Sequence, residues 1–176
     1  MPTFHVDATD PIGDTVRNAT YPQFTNLPDL ARATVDVSGG NITFTIKLAP
    51  ATFDPPTTVL LIDLDADQNT STGLFRNGLG VDFSLNLGAP GFGNPPLGNQ
   101  AHILKFGLSP GAFGISGSVP VTVAADGMSV TVPLAMLGNG DGRMAFRVES
   151  LVLLTTISAV PFDDLPDLSL PPARVQ

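Results

Sequence analysis

Thr34-Val-Asp-Val-Ser-Gly-Gly-Asn-Ile-Thr-Phe-Thr-Ile-Lys-Leu48 alternates apolar and polar residues on both sides of a Gly-Gly pair. Val35 and Val37 share one face, and Ile42, Phe44, Ile46 and Leu48 share the next. A period of two puts successive side chains on opposite faces of a strand, and Gly39-Gly40 supplies the positive φ that a tight turn needs. The stretch predicts a β-hairpin with one face in a core. The same period spreads outward along the chain. Thr57 to Leu64 reads as a more fully buried strand, and Val81, Phe83, Leu85 and Leu87 line one face of another. Ala101 to Leu108 is a weaker strand. Val119, Val121 and Val123 lead through Asp126-Gly127 into Met128, Val130, Val132 and Leu134, a second hairpin. Met144, Phe146 and Val148 open a last strand running towards Ile157, while Leu134 to Leu137 suits one helical turn stopped by Gly138. About 8–10 short strands between Gly, Pro, Asn and Asp turns predict an all-β fold, an antiparallel β-sandwich of jelly-roll or immunoglobulin-like layout.

Composition agrees. The 176 residues suffice for one domain, expected over residues 1–168, with 169–176 and their Pro171-Pro172 pair as an extended tail or linker. Gly 18 and Pro 17 punctuate the chain, and Glu149 is its single Glu, so a mostly helical protein is excluded. A net charge of −8 argues against nucleic acid, which needs a Lys/Arg footprint. No apolar run approaches the ~20 residues of a membrane span. Met1 to His5 carries no basic or apolar leader, so no signal peptide is read there. Without cysteine there is no disulfide, thiolate metal site or cysteine nucleophile. An acidic, Asp-rich, Cys-free β chain leans towards an extracellular or cell-surface setting.

The fifteen Asp are not scattered: ten fall into Asp7, Asp10 and Asp14; Asp63, Asp65, Asp67 and Asp82; and Asp163, Asp164 and Asp167. Asp63-Leu-Asp-Ala-Asp-Gln-Asn69 places acids at every second position, and the strand that starts near Gly80 is expected to return Asp82 beside them. Crowded carboxylates repel, and a divalent cation removes that cost. Oxygen-only ligands at flexible spacing suit calcium, so Asp63, Asp65, Asp67, Asn69 and Asp82 are candidate ligands. The spacing is not that of an EF-hand. Gln68 stands at the position of the tight-turn Gly and Leu74 at that of the bidentate Glu. If the termini meet, Asp10, Asp14, Asp29 and Asp164 or Asp167 would make a second site. The plain alternative for all of them is Asp capping turns and facing water.

Asp10-Pro-Ile-Gly-Asp14, Leu27-Pro-Asp-Leu-Ala-Arg-Ala-Thr-Val35 and Ile42-Thr-Phe-Thr-Ile46 resemble the opening of DOMON-like β-sandwich domains, relatives of family-9 carbohydrate-binding modules. Leu61-Ile-Asp-Leu-Asp-Ala-Asp-Gln-Asn-Thr-Ser-Thr-Gly73, Gly80-Val-Asp-Phe83, Val132-Pro-Leu-Ala-Met-Leu-Gly138 and the Asp-rich ending continue the likeness in the same order. The resemblance implies a calcium-stabilised sandwich serving as an accessory module of secreted or surface proteins, with Asp10, Asp14, Asp63, Asp65, Asp67 and Asp82 as the matching acids. Sugar-binding members stack pyranoses on Trp and Tyr, whereas this chain has no Trp and only Tyr21. Phe75, Phe92 and Phe113, in or near Gly-rich loops, are the candidate platforms, although a loop Phe is more often an anchor in the core rim.

Catalysis is not expected. Paired acids such as Asp63 and Asp82 lack an aromatic cleft, His5 and His102 are isolated, and Gly114-Ile-Ser-Gly-Ser118 lacks the last Gly of a nucleophile elbow. The sequence therefore predicts a non-catalytic, calcium-stabilised accessory module for surface display, adhesion or assembly. A carbohydrate-binding module attached to a secreted enzyme or surface protein is the alternative. Expected partners are a glycan, a surface protein, or a second copy pairing through edge strands or the tail.

Overall fold

The computed structural model describes residues 3–15, 27–88, 98–107, 113–138, 141–155 and 158–176. Its strands are β1 (Phe4–Thr9), β2 (Leu30–Ser38), β3 (Asn41–Leu48), β4 (Thr58–Asp65), β5 (Leu74–Arg76), β6 (Leu79–Val81), β7 (Phe83–Gly88), β8 (Gln100–Phe106), β9 (Phe113–Val123), β10 (Gly127–Pro133), β11 (Met144–Thr155), β12 (Ser158–Leu165) and β13 (Ala173–Val175). The chain is all-β and antiparallel, with a single 3-10 turn among the described residues, at Leu134–Leu137. No helix among the described residues is long and apolar enough to cross a membrane.

Ten strands follow one another in the order β1-β2-β3-β10-β9-β8-β7-β4-β11-β12, with β13 beside β11 and β5-β6 as a separate hairpin. The run folds over into two packed layers at β9. Gly114 to Pro120 pair with β8, and Val121 to Val123 pair with β10. Pro120 has no N–H to offer a ladder, so pairing changes partner where the donor is missing. The far ends of the run come together as β12 meets β2 and β13 meets β1, giving a nearly closed, barrel-like sandwich.

The alternation seen in the sequence fills the space between the layers. Val35, Val37, Ile42, Phe44 and Ile46 point inward from one layer, and Leu60, Ile62, Leu64, Leu85 and Phe146 from the other. Phe44 and Phe146 meet edge to face across the core, with centroids 5.9 Å apart at 73°. The hairpin expected at Gly39-Gly40 forms with Val37 opposite Ile42 and Val35 opposite Phe44.

The strand count exceeds the expected 8–10, because three-residue strands such as β5, β6 and β13 are too short to show a period. The end of the chain also differs from an extended tail. Ala173, Arg174 and Val175 pair with Phe146, Ala145 and Met144, and Val175 is fully buried.

Candidate metal centres and the adjoining pocket

Inward-facing Leu60, Ile62 and Leu64 put Asp63 and Asp65 on the outer face of β4. The strand ends at Asp65 and the chain turns back, with Gln68 at a φ of 56°. That turn folds Asp67 towards Asp65, and Asp82, between β6 and β7, completes a cluster. One carboxylate oxygen from each of Asp65, Asp67 and Asp82 lies within 4.8 Å of the others. The loop is shaped by its own hydrogen bonds. Asn69 N donates to Asp65 Oδ1 and to Asp67 Oδ1, each at 2.9 Å, and Ala66 N donates to Asp82 Oδ2 at 3.0 Å. Asn69 Oδ1 accepts from Ser71 N at 3.1 Å, so this side chain caps a turn. Burial raises the Asp65 and Asp82 carboxyls above the usual range, opposed by the backbone N–H groups that reach them.

Asp63 does not join this cluster. Residues two apart on a strand are separated by about 6.6 Å, so side chains at i and i+2 run side by side without converging. Convergence needs a turn, which comes only after Asp65. Asp63 Oδ1 instead accepts from Ser84 Oγ, and Asp63 Oδ2 sits 3.4 Å from Arg76 Nη1. Arg76 Nη2 in turn donates to Glu149 Oε2, so one guanidinium links β4 to β11. Burial raises the Glu149 carboxyl to about 7, with Arg76 holding it down.

A second set of acids gathers where β2 meets β12. Asp10 and Asp14 flank the turn after β1, and Gly13 N donates to Asp29 Oδ2 at 2.8 Å. From β12, Asp163 Oδ2 accepts Leu30 N at 2.6 Å and Asp163 Oδ1 accepts Asp164 N at 3.0 Å. Oxygens of Asp10, Asp14 and Asp167 lie within 4.8 Å of one another, as do those of Asp14, Asp29 and Asp163; Asp14 belongs to both triads. Asp10 and Asp29 are 9% and 5% exposed, yet Asp10 Oδ2 and Asp29 Oδ1 have no hydrogen-bond partner among the described residues. No ion pair among the described residues reaches these acids. Burial first, then the neighbouring carboxylates, pushes Asp10 up to about 8 and Asp163 to about 7. Buried anions without donors must gain a proton or a cation. An all-oxygen set with orphaned lone pairs fits a hard divalent ion.

Asp164 stays outside this second group. In register with Glu149 it faces out, while its neighbour Asp163, opposite Ser150, faces in. The sequence reading offered Asp164 or Asp167; the structure gathers Asp163 and Asp167. Reading Ser158–Leu165 as a strand would have separated the two consecutive acids, but Pro161 and a bulge hide its period.

A pocket of about 510 Å³ opens beside this group, and Asp14, Asp163, Asp164, Asp167, Arg76 and Glu149 supply its charged walls. Asn77, Pro161, Phe162 and Leu168 complete its lining. Of the three phenylalanines singled out, Phe75 is 72% and Phe113 66% exposed, so neither is an anchor in the core rim. Phe113 lies 6.0 Å from Phe106, ring centre to ring centre. Phe92, like Tyr21, lies outside the described residues. His5 Nδ1 is 2.6 Å from Asp36 Oδ1 on the exposed face, His102 is buried on β8, and Ser116 Oγ donates to the Ile103 carbonyl. The sequence matches no protein-family model and no curated protein.

Proposed function

We propose that this protein is a non-catalytic, calcium-stabilised β-sandwich module that works outside the cell, in surface display, adhesion or assembly. The observation that carries the reading is the group at Asp10, Asp14, Asp29, Asp163 and Asp167, where one buried oxygen each of Asp10 and Asp29 lacks a donor. Calcium supplies what the protein does not. The Asp65, Asp67 and Asp82 cluster adds a second candidate site on the opposite end of β4 from its start. The motif order that resembles DOMON-like and family-9 modules points the same way. Extracellular calcium modules work at ~10⁻⁴–10⁻³ M affinity, which matches an extracellular setting.

The test is the melting midpoint in chelator against the midpoint in millimolar calcium. Millimolar calcium, at ~1–10 times such a dissociation constant, adds about 0.4–1.4 kcal/mol per site, a rise of roughly one to five degrees for a domain of this size. Magnesium should give much less. The rise should shrink in Asp14→Asn and in Asp65→Asn. No calcium-specific rise returns the acids to solvated and protonated turns.

A second reading, a carbohydrate-binding module, has the exposed rings of Phe75 and Phe113 in its favour. Loss of glycan-array binding in Phe113→Ala would support it.

A further inference from the structure

We propose that Arg147 is a positioning residue for the metal group: its guanidinium braces the loop that carries Asp167, and an ion held by Asp10, Asp14 and Asp167 fastens that loop and β13 to the sheet. The inference rests on the calcium reading above and deepens it, naming the segment that calcium controls.

The loop is an excursion from one side of β11. Leu165 at the end of β12 lies opposite Val148, and Ala173 at the start of β13 lies opposite Phe146. Arg147 alone stands between them on β11, so residues 166–172 run out and back where a continuous ladder would place one residue. The Arg147 side chain closes this loop at its base. Nη1 donates to the Pro166 carbonyl, and Nη2 donates to the Leu170 carbonyl at 2.8 Å. Those carbonyls lie on either side of Asp167 in the chain, and Leu170 N donates to the Asp167 carbonyl at 2.8 Å. One planar guanidinium thus holds both ends of the turn that presents Asp167. Arg147 is 3% exposed and makes no ion pair among the described residues. A buried cation is costly to keep, and this one places its donors on the backbone around a candidate ligand.

The ion and the loop depend on each other. Oxygens of Asp10, Asp14 and Asp167 lie within 4.8 Å of one another, and the buried Asp10 Oδ2 has no partner among the described residues. Asp10 and Asp14 come from the turn after β1, and Asp167 comes from the loop before β13, so an ion here ties the two ends of the chain together. Metal-free, the three carboxylates repel and push the loop away. The segment they push is weakly held: β13 has three residues, and Leu168 and Leu170 are exposed. Lifting the loop removes Asp167 from the site, so bound calcium lowers the opening constant by the factor 1 + [Ca]/Kd. By reciprocity, whatever loosens the loop weakens calcium.

The test combines calcium calorimetry with hydrogen exchange of residues 166–176 by mass spectrometry. At about 10 mM calcium, ten times a millimolar dissociation constant, exchange of this segment should be about tenfold slower than in chelator. Asp167→Ala should abolish the slowing. Calorimetry is run in an Asp65→Asn background, so that the group at Asp14 is titrated without the other cluster. There Arg147→Ala should weaken calcium about tenfold. Arg147→Lys keeps the charge but not the fork, and should weaken it about threefold. It is also the variant to read should Arg147→Ala not fold. A merely structural arginine would lower the melting midpoint in chelator and leave calcium affinity at the parent value in both variants, and that result overturns the proposal. Equal exchange of residues 166–176 in calcium and chelator, with calcium bound, overturns it too and leaves the calcium reading standing. No calcium binding in the Asp65→Asn background overturns this inference together with the calcium reading of the group.

Discussion

Asp163 Oδ2 accepts the backbone N–H of Leu30 at 2.6 Å, joining β12 to β2 where the two ends of the sheet run meet. Leu30 is fully buried, so its N–H has no water to fall back on. Asp163→Ala should therefore cost this contact about 1–3 kcal/mol. The readout is hydrogen exchange in calcium. The Leu30 amide should exchange about tenfold to a hundredfold faster, with Phe44 and Ile46 in the mid-core ladder much less affected. Uniform acceleration at all three would mean that the contact is not local to this junction.

Arg76 neutralises two buried carboxylates at once, Asp63 and Glu149. Arg76→Ala leaves both without their cation, and breaking a buried pair costs about 3 kcal/mol. The loss should be largest near pH 8. It should be smaller near pH 5, because Glu149, raised to about 7, then carries a proton in the folded protein and needs the guanidinium less. Urea unfolding of both proteins at the two pH values gives the comparison. An equal loss at both would assign the destabilisation to lost packing of the Arg76 stem.

Local patterns were legible in the sequence, and long-range ones were not. Ile42, Phe44 and Ile46 announced their face through period two, and the grouping of acids along the chain foretold that Asp65, Asp67 and Asp82 would meet. Asp63 was misplaced because every-second spacing holds side chains parallel and says nothing of where the strand stops. Asp163 and Asp164 were confused because one residue decides the face of a strand that Pro161 disguises. The partnership of Arg76 with Glu149 spans 73 residues and joins a three-residue strand to a twelve-residue one. No local signal carries it.

Gly80 lets the backbone of Asn69 to Thr72 pack directly against β6. A Cβ there would stand 2.4 Å from the Asn69 carbonyl oxygen and 2.5 Å from that of Thr72. Gly80 N also donates to Asp65 Oδ2 at 3.3 Å. Gly80→Ala must push the loop outward, at about 1–3 kcal/mol for overpacking, and should weaken calcium at this cluster about tenfold. Gly114→Ala, where the added Cβ meets nothing within 4 Å, is the control. Calcium titration followed by calorimetry reads both variants. Unchanged affinity in Gly80→Ala would show that the calcium measured does not depend on how this loop is held.

The acids at the β2–β12 junction set the pH response of the metal-free protein. Asp10 is raised to about 8 and Asp163 to about 7, while unfolded Asp titrates near 3.9. Between those values the folded chain binds more protons than the unfolded one, so stability falls as pH rises. The contribution is fully present below about pH 4 and is lost as pH passes through 7 and 8. In chelator the melting midpoint should drop by several degrees from pH 5 to pH 8.5. Calcium takes the place of the protons, so in millimolar calcium the midpoint should hold or rise over the same span. Asp10→Asn removes the most strongly raised of these acids at nearly constant shape. In chelator it should melt above the wild type at pH 8.5 and close to it at pH 5. A metal-free protein whose midpoint rises towards pH 8.5 would mean that these carboxylates are solvated, and that neither a proton nor an ion is needed to hold the junction closed.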